Sequence, residues 1–205
     1  METKVPKISV VIPIHNMANG AFFLWRAVNS IMDQSFKDYE IVIVREGEMA
    51  KNTNEGIKRA RGEIIKILFL DDFLFKEDAL QKIVKAFTND INWVVSGCVH
   101  IGVDNSTYNT HIPCYTKEVK RGVNTIGSPS VLAFRNKYPL LFNESLTWVL
   151  DCELYGRLYD KFGYPGIIEE SLVAIGIGDH QTTNILSNEI KLKEQNYILQ
   201  KHENR

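Results

Sequence analysis

The first hundred residues alternate short apolar runs with segments of helical periodicity, and this alternation leaves few folds open to the chain. Residues 7–14, 39–44, 64–70 and 93–98 are rich in β-branched and aromatic side chains and have the length of buried strands. Pro13 stops the first of them, because a residue without an N–H cannot continue a ladder interior. Between the runs, residues 22–32 carry Phe22, Trp25, Ala27, Val28 and Ile31 at helical spacing, with Arg26 and Asn29 on the other face. Residues 51–61 turn Ile57 and Ala60 inward and end at Gly62; residues 76–87 align Leu80, Ile83, Val84 and Phe87. Parallel strands joined by right-handed helical crossovers are the expected relation. The fold class predicted is α/β, a Rossmann-like, mostly parallel central sheet flanked by helices.

The third run delivers Asp71 and Asp72 to its carboxyl end, the edge at which open α/β sheets bind ligands. Two adjacent carboxylates repel one another, and a hard divalent cation shared between them relieves that repulsion. A second reading is available at this stage: Asp72 caps the helix that starts near Lys76, and Asp71 is a solvated turn residue.

Beyond Val99 the pattern loosens. Residues 104–115 are polar, as in an exposed loop or irregular hairpin, and Gly127-Ser128-Pro129-Ser130 precedes a short apolar strand at 131–134. Residues 147–162 form a helix with Leu150, Leu154, Leu158 and Phe162 as its inner stripe, Asp151 on its first turns and Gly163 at its end. A last strand is expected at 167–177, a polar loop at 179–184, and a surface helix that frays toward its end at 189–205.

The 205 residues, 44% hydrophobic and 24% charged, suit one domain with a sizeable core. A formal net charge of −1 announces no broad basic face for nucleic acid or anionic membrane. Cys98, Cys114 and Cys152 have no metal-finger spacing and are odd in number, so a reducing compartment is expected. No signal-peptide pattern and no apolar run near the ~20 residues of a membrane helix is present, and a soluble cytoplasmic protein is expected.

Taken together, these stretches resemble the family 2 inverting glycosyltransferases with the GT-A fold, from Ile8 to about Asn184. Ser9-Val10-Val11-Ile12-Pro13-Ile14-His15-Asn16 is similar to the family's first strand, which ends in Pro-x-aromatic-Asn, with His15 in the aromatic place. Lys51-Asn52 with Gly56, Ala60 and Gly62 looks like the Arg-Asn-x-Gly segment, and Leu70-Asp71-Asp72 like a contracted Asp-x-Asp metal motif. Gly127-Ser128-Pro129-Ser130 with Phe134-Arg135 resembles the segment lining the acceptor and donor-sugar side. Residues 142–148, then Asp151-Cys152-Glu153-Leu154-Tyr155 and Arg157, look like the helix that brings the catalytic base.

The resemblance implies transfer of a sugar from a nucleoside-diphosphate-sugar donor to a glycan or other hydroxyl-bearing acceptor, assisted by Mn²⁺ or Mg²⁺. It assigns the base to Asp151, with Glu153 as the alternative, and the metal to Asp72, Asp71 and His180. Donor contacts fall on Pro13, Ile14, His15, Asn16, Glu46, Lys51, Asn52, Asp71 and Arg135; Gly127, Ser128 and Trp148 lie on the acceptor side. It divides one domain into a nucleotide-binding half at about 7–100, an acceptor and catalytic half at about 101–185, and the tail. Two departures stand out. The second strand ends in Arg45-Glu46-Gly47-Glu48 where the family has Asp-Asp-Gly-Ser, and the interval from there to Asp71 is short. A sugar nucleotidyltransferase would carry a Gly-rich basic loop after its first strand, which this chain lacks; a non-catalytic nucleotide- or glycan-binding module is the remaining alternative. Donor base, acceptor and oligomeric state are left open by the sequence, and a nucleic-acid acceptor is disfavoured without being excluded.

Overall fold

The computed structural model describes residues 4–102, 104–179 and 181–203. Its centre is an eight-stranded sheet: β1 (Ile8–Pro13), β2 (Tyr39–Val44), β3 (Ile64–Ile67), β4 (Phe73–Leu74), β5 (Trp93–Ile101), β6 (Thr107–His111), β7 (Leu132–Arg135) and β8 (Gly166–Gly176). The spatial order is β2-β1-β3-β7-β5-β8-β4, with β6 on β5. β1 pairs in parallel with β2 and β3, and β5 with β8. β7 lies antiparallel between β3 and β5, so β1, β2, β3, β5 and β8 all run in one direction. The α/β class is as expected, and most strands are parallel.

The fourth run, residues 93–98 in the sequence reading, is not a direct neighbour of the third. Leu132–Arg135 inserts between them, pairing Lys66 with Ala133 on one side and Val94 with Ala133 on the other. This reversal sends the Ser128–Ser130 turn to the carboxyl ends of the parallel strands and sends Arg135 to their amino ends, opposite Ile64.

The helices are α1 (Gly20–Met32), α2 (Met49–Arg59), α3 (Ala79–Ala86), α4 (Leu150–Phe162), α5 (Thr182–Ile185) and α6 (Asn188–Glu203). All six residues of β1 are buried, each aliphatic one contributing roughly 1.5–3 kcal/mol over exposure. α2 packs directly on this strand at Gly56, where a Cβ would meet Val11 Cγ1 at 2.3 Å. α1 is turned from its predicted orientation. Phe23, Ala27 and Ile31 face the core, while Phe22 and Trp25 are 52% and 64% exposed.

The tail is a surface helix, as expected, with Ile190, Leu192 and Tyr197 exposed. α6 docks through two residues of one face: Ile198 is fully buried and Glu194 is 6% exposed. Among the described residues, no helix is long and apolar enough to cross a membrane.

Candidate functional site

Segments from the carboxyl ends of the parallel strands, together with the start of α4, enclose a cavity of about 270 Å³ lined by Asp71, Asp72, Ser128, Trp148 and Asp151, among others. His15 and Met49 line it too, and they also line an adjoining cleft of about 510 Å³ with Asn16, Met17 and Glu48. The two spaces therefore meet along one wall.

Asp72 reaches the cavity because β3 stops short. Ser130 Oγ accepts from Phe69 N at 2.8 Å, and the Asp72 N–H closes a tight turn on the Phe69 carbonyl at 3.0 Å. The chain then reverses into β4, which pairs antiparallel with β8. α3 begins at Ala79 after Asp78, so Asp72 is not its cap and the capping alternative falls. The Asp72 carboxylate is buried and accepts the Gly176 N–H at 2.9 Å, with Ser128 Oγ at 3.5 Å from its other oxygen. Burial, and after it the charge of Asp71, push its pKa well above the ordinary carboxylate range. Below the turn, Lys66 is fully buried in β3, its ammonium donating to the carbonyls of Ser130 and, at 3.0 Å, Ile67. Burial lowers its pKa to about 7 against the opposing pull of Asp72.

Asp151, the second residue of α4, faces the same cavity from another element. Its Oδ2 accepts from Asn124 Nδ2 at 2.6 Å and its Oδ1 from the Cys152 N–H at 2.6 Å. Burial raises its pKa to about 6, opposed by those two hydrogen bonds. A carboxylate with a pKa near the working pH is suited to accept a proton in a reaction. Asn124 also receives the Gly127 N–H at 2.8 Å and donates to the Gly127 carbonyl at 3.0 Å, so it joins the Gly127-Ser128 turn to the acid. The sequence reading did not single it out, although a polar Asn three residues before a glycine is a turn signal.

Glu153 is not a second candidate. Its side chain is 1% exposed and points away from the cavity, ion-paired with Arg157 at 2.6 Å and with Lys201 of α6. Burial alone would raise its pKa, but the hydrogen bonds from Arg157 and Lys201 outweigh it and hold the carboxyl below its usual range. Glu194 of α6, also missed, accepts the main-chain N–H groups of Thr147, Trp148 and Val149 at 2.9, 2.8 and 3.1 Å. It thereby supplies a negative charge at the amino end of the helix that carries Asp151.

The remaining sequence-derived positions divide sharply. His15 and Asn16 line the cavities, and the Asn16 side chain accepts from Arg45. Pro13 is buried in β1, and Ile14 and Asn52 knit the loops: Ile14 N–H donates to Val44 at 2.7 Å, while Asn52 donates to the Ile14 carbonyl at 2.6 Å and accepts the Glu46 N–H at 2.8 Å. Asn52 thus ties together the loops that follow β1 and β2 and lines neither cavity, nor does Lys51, which is exposed on α2. Glu46 turns its carboxylate to Arg59 at 2.8 Å. Arg135 is a correction: at the far end of β7 its guanidinium donates to the carbonyls of Ile91 and Thr88, at 3.0 and 2.7 Å, away from the site. His180 lies outside the described residues.

Among the described residues no group of three or more His, Cys, Asp or Glu side chains forms a closed metal cage. The acidic turn instead offers two carboxylates beside open volume. That fits Mg²⁺ or a similar hard cation, which is commonly held by one or two carboxylates and completes its shell with water and substrate phosphates.

No family model matches the chain. It is similar to an uncharacterized glycosyltransferase of Rickettsia typhi, 24% identical across 92% of this chain and 70% of that protein. An uncharacterized glycosyltransferase of Nostoc is 33% identical, over 42% of this chain and 34% of its own. Among solved structures, Staphylococcus aureus TarS 1–349 in complex with UDP-GlcNAc superposes with a TM-score of 0.67 at 14% identity, over 88% of this chain and 61% of that one. The Pyrobaculum calidifontis mannosyltransferase PcManGT with GDP-Man and Mn²⁺ gives 0.58 at 15% identity, over 88% and 59%. The chain thus spans about three fifths of the length of these solved neighbours. Its α/β architecture is that of the GT-A glycosyltransferases, and the names of its relatives are consistent with a transferase.

Proposed function

We propose that the chain transfers a sugar, with inversion, from a nucleoside diphosphate donor to an acceptor hydroxyl. The observation that carries this reading is the meeting of an acidic turn, Asp71-Asp72, and a separate proton acceptor, Asp151, on one cavity from two different elements. Inverting transfer needs these two functions on opposite sides of one sugar. The acceptor oxygen attacks the anomeric carbon while the bond from that carbon to the diphosphate oxygen breaks, the electron pair leaving with the diphosphate. The ionised Asp151 carboxylate takes the hydroxyl proton, help typically worth ~10²–10⁴-fold. Asp71 and Asp72 are the residues that would hold a divalent cation, which when bound neutralises charge developing on the leaving diphosphate. Trp148 contributes an apolar wall against which a sugar ring can rest.

The adjoining cleft with His15, Asn16 and Met17 suits the nucleoside. With Glu46 committed to Arg59, base recognition falls to the side of this cleft where Arg45 and Asn16 are hydrogen-bonded. UDP and GDP donors are both candidates, since UDP-GlcNAc and GDP-Man are the ligands of the two neighbours above.

The test is a donor screen: UDP- and GDP-sugars with Mn²⁺ and a panel of acceptor alcohols, following nucleoside diphosphate release and the anomeric configuration of the product by NMR. Release accompanied by an inverted anomeric linkage is expected. Product with retained configuration would overturn the assignment of Asp151 as base in a single displacement, and absence of turnover with every donor would favour a binding module.

A further inference from the structure

The turn that carries the two aspartates is gripped from both sides. On the β8 side, Gly176 donates to the Asp72 carboxylate, and its α-carbon packs so closely that a Cβ would meet the Asp71 carbonyl oxygen at 2.4 Å. On the α1 side, Arg26 Nη2 donates to that same Asp71 carbonyl at 2.6 Å. The guanidinium carbon lies 4.5 Å from the centre of the Phe73 ring, 5.2 Å from Phe23 and 5.7 Å from Phe22. Nε is buried with no hydrogen-bond partner. Three rings surround the group, each within cation–π distance of the guanidinium.

This is an unusual use of an arginine. A surface guanidinium gains most by turning its fork to water or to a carboxylate; here a half-buried one donates to a main-chain oxygen, within the electrostatic reach of two acidic side chains. Burial lowers the Arg26 pKa, and the charges of Asp72 and Asp71 oppose that shift. Phe73, which follows Asp72 directly, supplies the nearest of the three rings, so the acidic turn and its clamp share one short stretch of chain.

We propose that Arg26 is a positioning residue for the cation site: by holding the Asp71 peptide against Gly176, it sets the direction in which both carboxylates present their oxygens. The inference rests on the reading of Asp71 and Asp72 as cation ligands and adds to it a residue of α1 that touches neither donor nor acceptor. The charge alone is not sufficient on this account. Lysine at this place keeps a cation but lacks the planar fork that sits among these rings and reaches the carbonyl.

The test measures Mn²⁺ binding directly, from loss of the free aquo-ion signal in electron paramagnetic resonance, on the full chain without donor. Wild type, Asp72→Asn, Arg26→Gln and Arg26→Lys are compared, with far-UV circular dichroism melts as the measure of folding. Groups that orient metal ligands typically change metal affinity ~10–100-fold when removed. The expected result is a loss of about 10-fold or more in both Arg26 variants, with Lys failing to rescue. Mn²⁺ affinity within twofold of wild type in folded Arg26→Lys, alongside loss in Asp72→Asn, would overturn the role of Arg26 and leave the metal reading standing. Absence of Mn²⁺ binding by the wild-type chain, both alone and in a parallel titration with UDP or GDP added, would overturn both. If Arg26→Gln does not fold, the Lys variant decides alone; full rescue by Lys would show that charge, and not the clamp, is what matters.

Discussion

Replacing Glu194 by Ala removes the acceptor for three consecutive main-chain donors, and its effect can be worked from the structure. The N–H groups of Thr147, Trp148 and Val149 all end on this one carboxylate, 6% exposed, with no intervening side chain. An ordinary helix cap stabilises by ~0.5–2 kcal/mol. A full negative charge at a helix amino end adds roughly 0.3–2 kcal/mol, the upper part of the range where the site is partly buried. The contributions overlap, so a loss of about 2–4 kcal/mol is the working figure for Glu194→Ala. For a chain of this size that lowers the melting temperature by roughly 5–12 °C. Glu194→Gln keeps an acceptor oxygen and loses the charge, and should show about half the effect. Urea unfolding followed by circular dichroism measures the difference, with Glu189→Ala on the exposed first turn of the same helix as a control expected within ~0.5 kcal/mol of wild type. Because Thr147 and Trp148 line the cavity, donor affinity should fall as the segment loosens. If Glu194→Ala unfolds within ~0.5 kcal/mol of wild type, the carboxylate is not what fixes the start of α4.

Asp151→Asn should reduce turnover by roughly 10²-fold or more with donor affinity retained. In the wild type the rate should climb with pH through about 6 and level off above, because the base works ionised; the variant should lose that inflection. The sign for stability is opposite to that of a salt-bridged acid. The folded pKa lies above the ordinary 3.8, so stability falls as pH rises from about 4 through about 6, and Asp151→Asn should melt no lower than wild type at pH 7.5. Glu46→Gln should leave donor affinity within about twofold, since only an exposed ion pair worth ~0–1 kcal/mol is lost. Arg135→Ala should cost about 1–2 kcal/mol of stability through the freed carbonyls of Ile91 and Thr88, again with donor binding intact.

β1 and β3 were legible because burial on both faces writes itself as continuous β-branched runs, and the run ending at Leu70 placed the acidic pair at the correct edge; the equally β-branched run at 39–44 is instead an edge strand, half-buried, with Ile43 exposed. The insertion of β7 was not legible. Leu132-Ala133-Phe134 has no alternation to mark its face, and nothing local records that its partners are Ile64–Lys66 and Trp93–Val95. That one reversal is why Ser128 reaches the cavity and Arg135 does not. In α1 the two apolar sets, Phe22 with Trp25 and Phe23 with Ala27 and Ile31, lie on adjacent faces, so composition alone could not choose between them. Glu153 carried a readable warning, an Arg four residues on, the spacing of an ion pair along a helix. Glu194 carried none: one carboxylate in a charge-rich helix differs from its neighbours only through contacts made more than forty residues away.

The central claim is that the acidic turn binds a nucleoside diphosphate through a divalent cation. Calorimetric titration of UDP and GDP into the chain, in Mn²⁺ and then in excess chelator, with folded Asp72→Ala in parallel, tests it most directly. Saturable binding of one nucleotide in Mn²⁺, lost on chelation and lost in Asp72→Ala, is the predicted result. Binding of equal strength that survives both chelation and the substitution would contradict it.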